Sequence, residues 1–282
     1  MASTDPNAPI GVFDSGVGGL TVLRALLEAL PDERFIYLGD TARLPYGSKS
    51  PQTVVRYARQ AARVLVDADI KLLVIACNTA SAVAVDDLAA AFAPLPVLGV
   101  VEPGAEAACA RSRGGRTLVL ATEGTIRGGA YDRAIAARRP QLHVTGLACP
   151  MFVALAEEGW TDGAIPHAVA ERYLQPVMDP SDPIDTLVLG CTHFPVLAGV
   201  LAAVVGPDVA IVDSAETTAR AVHARLHAPE PPAAAAPVVP GSAQDPSRVQ
   251  LWATDDPERF ARVGGRFLDM PLRADAVRVV DL

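Results

Sequence analysis

Two stretches of this chain repeat one another around a cysteine. Leu73-Val-Ile-Ala-Cys77-Asn-Thr79 is echoed by Leu187-Val-Leu-Gly-Cys191-Thr-His193. Each is an apolar run ending in a small residue, then Cys, then a polar pair, then a helix-like segment. A thiol just past the carboxyl end of a strand, with a helix N-terminus behind it, sits where the helix dipole favours thiolate. Two such thiols flanking one cleft suit the inversion of a stereocentre through a carbanion. One thiolate removes a proton from one face, and the opposite thiol returns a proton to the other. Thiol pKa values near neutrality match that role. A lone Cys after an apolar strand is usually a small buried hydrophobe. We keep that reading for Cys109 and Cys149; the matched setting of Cys77 and Cys191 argues against it for those two.

Other polar residues stand where this chemistry would use them. His193, two residues after Cys191, can stabilise or shuttle its proton. Asp14, at the end of the first apolar run, can orient or deprotonate Cys77. Helix capping and an Asx turn are the alternatives for these two. Ser15, Asn78, Thr79, Thr122, Thr125 and Thr192 are small donors after strand ends. With helix N-termini they can hold carboxylates without Arg, and capping explains each of them equally well. Amino-acid racemases often carry pyridoxal phosphate, which needs a Schiff-base Lys. The only lysines are Lys49 and Lys71, and neither lies in a Gly/Ser-rich phosphate cradle. A route without a cofactor is therefore expected. The turn Gly16-Val-Gly-Gly19 lacks the spacing of a dinucleotide fingerprint and no Gly-Lys-Ser/Thr follows, so a tight strand-to-helix turn is the expectation there. No C-x-x-C pair exists, so no metal site is expected.

The elements that must position these groups alternate in type. Strands are expected at Ile10–Phe13, Arg34–Leu38, Leu72–Ala76, Val97–Val100, Thr117–Ala121, His143–Leu147, Thr186–Gly190, Ala210–Val212 and Val249–Trp252. Helices are expected at Leu20–Leu30, Thr53–Ala68, Ala80–Ala93, Tyr131–Arg139, Pro166–Leu174, Val196–Val205, Thr217–His227 and Asp256–Phe267. Apolar strands alternating with helices imply α/β architecture, with parallel sheets covered on both faces. A weaker echo joins Ile10-Gly-Val-Phe-Asp14-Ser15-Gly16 to Leu118-Val-Leu-Ala-Thr122-Glu123-Gly124. Two echoes in the same order suggest two similar doubly wound lobes related by a pseudo-twofold, with the site in the cleft between them. The boundary is expected near Val100–Gly104, where Glu102-Pro-Gly interrupts the pattern. The first lobe would comprise 1–100 plus 208–282, with Ala210–Val212 and Thr217–His227 returning to it. The second would comprise 101–207. The Pro/Ala-rich stretch 229–246 reads as a loop.

At 282 residues the chain has ample surface to bury. With half its residues hydrophobic but only 5% aromatic, the core must be built from Ala, Val, Leu and Ile. A net charge of −8 gives no overall basic footprint for nucleic acid. No basic segment followed by an apolar one opens the chain, and no apolar run reaches the ~18 residues of a membrane span. A cytoplasmic location with reduced thiols is expected.

The segments GVFDSGVGGL (11–20), GDTARLPYGSKS (39–50), IACNTASA (75–82), ATEGTI (121–126), ACPMFVALAEEG (148–159) and GCTHFPVL (190–197) together resemble the glutamate racemases of the cofactor-independent aspartate/glutamate racemase superfamily. The resemblance implies two α/β lobes and interconversion of L- and D-glutamate, with D-glutamate supplied to peptidoglycan. It implies that Cys77 acts on D-glutamate and Cys191 on L-glutamate, that Asp14 assists Cys77 and His193 assists Cys191, and that Glu157 joins the acid–base network. It implies substrate contacts at Asp14, Ser15, Tyr46, Gly47, Asn78, Thr79, Thr192 and His193, and more weakly at Thr122 and Thr125. The turn Pro45-Tyr46-Gly47 would offer backbone amides to a carboxylate. Dimers are frequent in that family, and some members bind DNA gyrase. The competing readings are an aspartate racemase and a non-enzymatic binding or regulatory protein on the same scaffold. A redox pair of Cys77 and Cys191 is disfavoured, because a disulfide needs Cα atoms within about 7 Å.

Overall fold

A computed structural model describes residues 5–227 and 248–282; the expected loop 229–246 lies outside them. In chain order the elements are β1 (Ile10–Asp14), α1 (Leu20–Ala29), β2 (Phe35–Gly39), α2 (Pro51–Asp67), β3 (Leu72–Ile75), α3 (Asn78–Ala91), β4 (Val97–Gly99) and α4 (Val101–Arg111). There follow β5 (Arg116–Ala121), α5 (Glu123–Gly128), α6 (Ala130–Arg138), β6 (Val144–Ala148), α7 (Pro150–Glu158), α8 (Ala164–Leu174), β7 (Ile184–Gly190), α9 (Ala198–Val205) and β8 (Ala210–Asp213). The last are α10 (Ser214–Leu226), β9 (Val249–Ala253), α11 (Pro257–Leu268) and β10 (Val277–Val279).

The strands form two wholly parallel sheets, ordered β10-β9-β2-β1-β3-β4 and β6-β5-β7-β8. Successive strand residues point to opposite faces, and both faces are buried. In the first sheet Ile10, Val12, Leu72 and Val74 pack under Leu23 and Leu26 of α1 and Phe260 and Phe267 of α11. Phe13, Leu73 and Ile75 face the other way, onto Ala58 and Leu65 of α2 and Ala84 and Leu88 of α3. The second sheet repeats this. Leu118, Leu120, Leu187 and Leu189 meet Phe152 of α7 and Leu201 of α9. Val119 and Val188 meet Ala105 and Ala108 of α4. Small Ala faces let the helices lie close on strands rich in Val and Leu.

The four-strand order β2-β1-β3-β4 recurs as β6-β5-β7-β8, so the echoed Cys segments follow equivalent strands, β3 and β7. This topology corrects one expectation. Ala210–Val212 does not return to the first sheet; β8 pairs with β7 as the counterpart of β4. Helix α10 packs its Ala215, Ala219 and Val222 into the core beneath β1 and α1 and also lies against α4. Glu102-Pro-Gly is also no break. Pro103 and Gly104 lie in the first turn of α4, where the missing N–H of Pro costs nothing. The edge strand β10 was absent from the expected strands.

Candidate active site

In each sheet the chain leaves the first strand toward one neighbour and returns on the other side. That reversal opens a crevice at the carboxyl ends of β1 and β3, and of β5 and β7. Asp14 and Ser15 close β1. Cys77, Asn78 and Thr79 follow β3, Thr122 and Thr125 follow β5, and Cys191, Thr192 and His193 follow β7. The two crevices meet. Thr79 Oγ1 lies 2.9 Å from Thr122 Oγ1 across the lobes, and Thr21 Oγ1 donates to the Thr192 carbonyl at 2.9 Å. Gly18 explains part of the Gly-rich turn. A Cβ there would lie 2.3 Å from His193 Nδ1 and 2.6 Å from Thr192 Oγ1, so only glycine lets the β1 turn reach the opposite lobe.

Cys77 is the N-cap of α3, its Sγ accepting the Ala80 N–H at 3.4 Å. Ser15 Oγ lies 3.5 Å from the same sulfur. Burial, then the charge of Asp14, pushes the Cys77 thiol up to about 12. The charge of Cys191 adds a smaller push from across the cleft. Asp14 is fully buried. Its Oδ2 accepts the Gly16 N–H at 2.9 Å, an Asx turn, while Oδ1 has no partner. Burial raises its pKa, and the His193 charge partly counters that. The local turn and the electrostatic role therefore coexist in one carboxylate. Asp14 reaches Cys77 by charge rather than by a hydrogen bond.

His193 sits between Cys191 and Glu157. Its Nδ1 lies 3.9 Å from Cys191 Sγ and its Nε2 lies 3.0 Å from Glu157 Oε1. Burial alone would lower its pKa, but hydrogen bonds to Cys191 and Glu157 and their charges push it up to about 10. His193 caps no helix with its side chain, which removes the capping alternative. Glu157 is answered from the first lobe. Arg259 of α11 donates to Oε2 at 2.6 Å, and Arg266 donates to the Glu157 carbonyl. Burial would raise the Glu157 carboxyl, yet the bonds to His193 and Arg259 hold it below its ordinary value.

The turn Tyr46–Ser48 faces α5. A Cβ on Gly47 would lie 2.7 Å from Thr122 Cβ, so the backbone lies directly against that residue. The Tyr46 ring is wholly buried between Phe13 and Tyr57, and its hydroxyl donates to Asp40. A contact from Tyr46 is thus one of backbone, not of hydroxyl. Thr79, Thr122 and Thr125 form a closed trio of hydroxyls, with separations of 2.9, 3.1 and 3.1 Å. Every site residue expected from the sequence lies at this junction.

Sequence reasoning missed the supporting residues. Thr21, Tyr37, Tyr131 and Arg259 support the site from elements distant in the chain, Asp40 holds Tyr46 from six residues away, and no local pattern marks them. Tyr37 donates to the Gly16 carbonyl at 2.9 Å, and Tyr131 donates to Asn78 Oδ1 at 2.7 Å. Lys71 is paired with Glu33 at 2.6 Å, at the amino end of β3, the end remote from the thiols.

The Asp/Glu/Hydantoin racemase family model matches residues 10–222. The glutamate racemase of Geobacter metallireducens is 51% identical over 263 residues, covering 93% of each chain. A glutamate racemase structure from Thermus thermophilus, in complex with beta-chloro-D-alanine, is 44% identical with a TM-score of 0.81 over 99% of both chains. One from Francisella tularensis, in complex with D-glutamate, is 33% identical with a TM-score of 0.83 over 98% of both.

Proposed function

The chain belongs to the Asp/Glu/Hydantoin racemase family, and on that premise we propose a cofactor-independent inversion of glutamate at Cα by two thiols. The protein is an amino-acid racemase, an isomerase, and its activity is the interconversion of L- and D-glutamate. In our reading Cys191 takes the Cα proton of L-glutamate while Cys77 protonates the opposite face. In reverse, Cys77 takes the proton of D-glutamate and Cys191 returns one.

The charges fit that division. Imidazolium at His193, held by Glu157, gives negative charge on Cys191 a partner. Ionised Asp14 holds the proton on Cys77, which is the acid needed in the L-to-D direction. A proton on Asp14, whose pKa burial raises, lifts that penalty and lets Cys77 act as the base. The first-turn amides of α3 and the Tyr46–Gly47 turn receive the substrate carboxylates, together with Ser15, Asn78, Thr79, Thr122, Thr125 and Thr192. Donors fixed in place before reaction stabilise charge as it develops on the carbanion. Burial of both thiols keeps water from the intermediate.

The observation that carries this reading is the equivalence of Cys77 and Cys191. They follow strands in equivalent positions of the two sheets, and the Cys191 charge reaches the Cys77 thiol from the other lobe. Aspartate differs from glutamate by one methylene, worth only ~1–3 kcal/mol in a pocket, so the test compares the two substrates directly. Circular dichroism of L-glutamate with the protein and a reductant, without pyridoxal phosphate, is expected to decay to zero. Decay with aspartate alone would support the aspartate reading, and no decay with either would leave a binding role.

We further read the protein as a cytoplasmic homodimer that supplies D-glutamate for peptidoglycan. Among the described residues no helix is long and apolar enough to cross a membrane. Met151, Trp160 and Ile165 are exposed apolar side chains on one lobe, which favours a self-association surface there. The gyrase contact rests on resemblance alone.

A further inference from the structure

Asn78 follows Cys77 directly, and both ends of its carboxamide are buried. The Oδ1 end accepts the Tyr131 hydroxyl at 2.7 Å, while Nδ2 is buried with no partner. A buried amide nitrogen with two unmet N–H groups is costly unless something completes it. Tyr131 belongs to α6 of the second lobe and Asn78 to α3 of the first, so the bond crosses the cleft. The hydroxyl finds no other acceptor among the described residues. Two glycines make room for the ring. A Cβ on Gly190, the residue before Cys191, would lie 3.1 Å from Tyr131 Cε2, and one on Gly104 would lie 3.1 Å from its Oη. Tyr131 is buried, and burial with the nearby Cys191 charge keeps its phenol protonated, hence a donor.

We propose that Tyr131 is a positioning residue. By donating to Oδ1 it fixes the flip of the Asn78 carboxamide, so that Nδ2 presents its N–H pair to a substrate carboxylate. This rests on the reading of Asn78 as a substrate contact. An amide free to flip would offer oxygen half the time, and oxygen repels a carboxylate. The hydroxyl therefore acts on binding, not on proton transfer. Because the two enantiomers have equal free energy, kcat/KM must fall by the same factor for both.

The test is Tyr131→Phe, which keeps the ring and removes the donor. KM for L- and D-glutamate should rise together on the order of tenfold, the value of one lost hydrogen bond, with kcat within about threefold. In an Asn78→Ala background the same substitution should move KM less than about twofold, because the amide it orients is gone. An unchanged KM in Tyr131→Phe, with a raised KM in Asn78→Ala, would overturn the role of Tyr131 alone. Equal effects of Tyr131→Phe in both backgrounds would also overturn it. An unchanged KM in Asn78→Ala would instead remove the underlying reading. If Tyr131→Phe does not fold, the Asn78 side-chain amide resonances of the native protein decide. They should be a single sharp pair that shifts on titration with glutamate. A broadened or unshifted pair contradicts the proposal.

Discussion

His193 and Glu157 face each other at 3.0 Å from Nε2 to Oε1, and in the sequence α8 and β7 lie between them. The bond couples the protonation of Cys191's neighbour to a carboxylate gripped by Arg259 of the other lobe, whose Arg266 holds the Glu157 carbonyl. Closure of the lobes and the charge beside one thiol are therefore parts of one arrangement.

The pair makes stability depend on pH. The His193 pKa is raised in the folded state to about 10, so its contribution is fully present below about 6.5, its ordinary value, and is lost as pH rises through 10. The Glu157 pKa is lowered, so its contribution is present above about 4.5 and is lost as pH falls through the lower folded value. Thermal denaturation should show Tm falling between pH 6.5 and 10. Glu157→Gln should flatten that fall and lower kcat/KM roughly ten- to hundredfold, about 1.4–3 kcal/mol at the transition state.

Cys77→Ala and Cys191→Ala should each abolish racemisation, a loss of at least ~10²–10⁴ in rate. Each variant keeps one thiol, so exchange of the Cα proton should persist from one enantiomer only. Polarimetry together with mass spectrometry in deuterated water reads both effects. Full racemisation by either variant would end the two-thiol assignment.

Gly18 and Gly199 make a matched comparison. A methyl at Gly18 collides with His193 and Thr192, whereas at Gly199 in α9 it meets nothing. Gly18→Ala should lower activity more than tenfold by displacing His193. Gly199→Ala should leave activity unchanged and stabilise the fold by about 0.4–1 kcal/mol. Urea denaturation and initial rates check both.

Asp40 holds the turn that faces Thr122. It accepts from Arg43 at 2.7 Å, from Thr254 at 3.1 Å and from the Tyr46 hydroxyl. Asp40→Asn turns one acceptor into a donor facing a donor. It should cost about 1–3 kcal/mol in urea denaturation and raise KM, since the Tyr46–Gly47 backbone loses its anchor.

The thiols were legible in the sequence because each ends a short apolar run with a helix behind it, a local pattern. The repeat of that pattern also foretold two sheets of like order. Asp14, Ser15, Asn78, Thr79, Thr122, Thr125 and Thr192 followed by position after strand ends. Glu157, Tyr46 and Gly47 came only from family resemblance, because nothing local distinguishes a carboxylate on an amphipathic helix or a buried Tyr in a turn. Tyr131, Thr21 and Arg259 were illegible for a related reason. Their partners lie 53, 171 and 102 residues away, and tertiary packing alone brings them together. The placement of β8 was misjudged because Ala210–Val212 reads equally well as a strand of either sheet. Only the repeat of β4 decides it.

The most direct test of two opposed thiols is the fate of the Cα hydrogen in a single turnover. L-glutamate is incubated with the protein in deuterated water and quenched at low conversion. Both enantiomers are then separated and weighed by mass spectrometry. Two thiols on opposite faces predict D-glutamate carrying deuterium in nearly every molecule, while the recovered L-glutamate carries almost none. Product that keeps its original protium would mean one base serving both faces, and would contradict the division of work between Cys77 and Cys191.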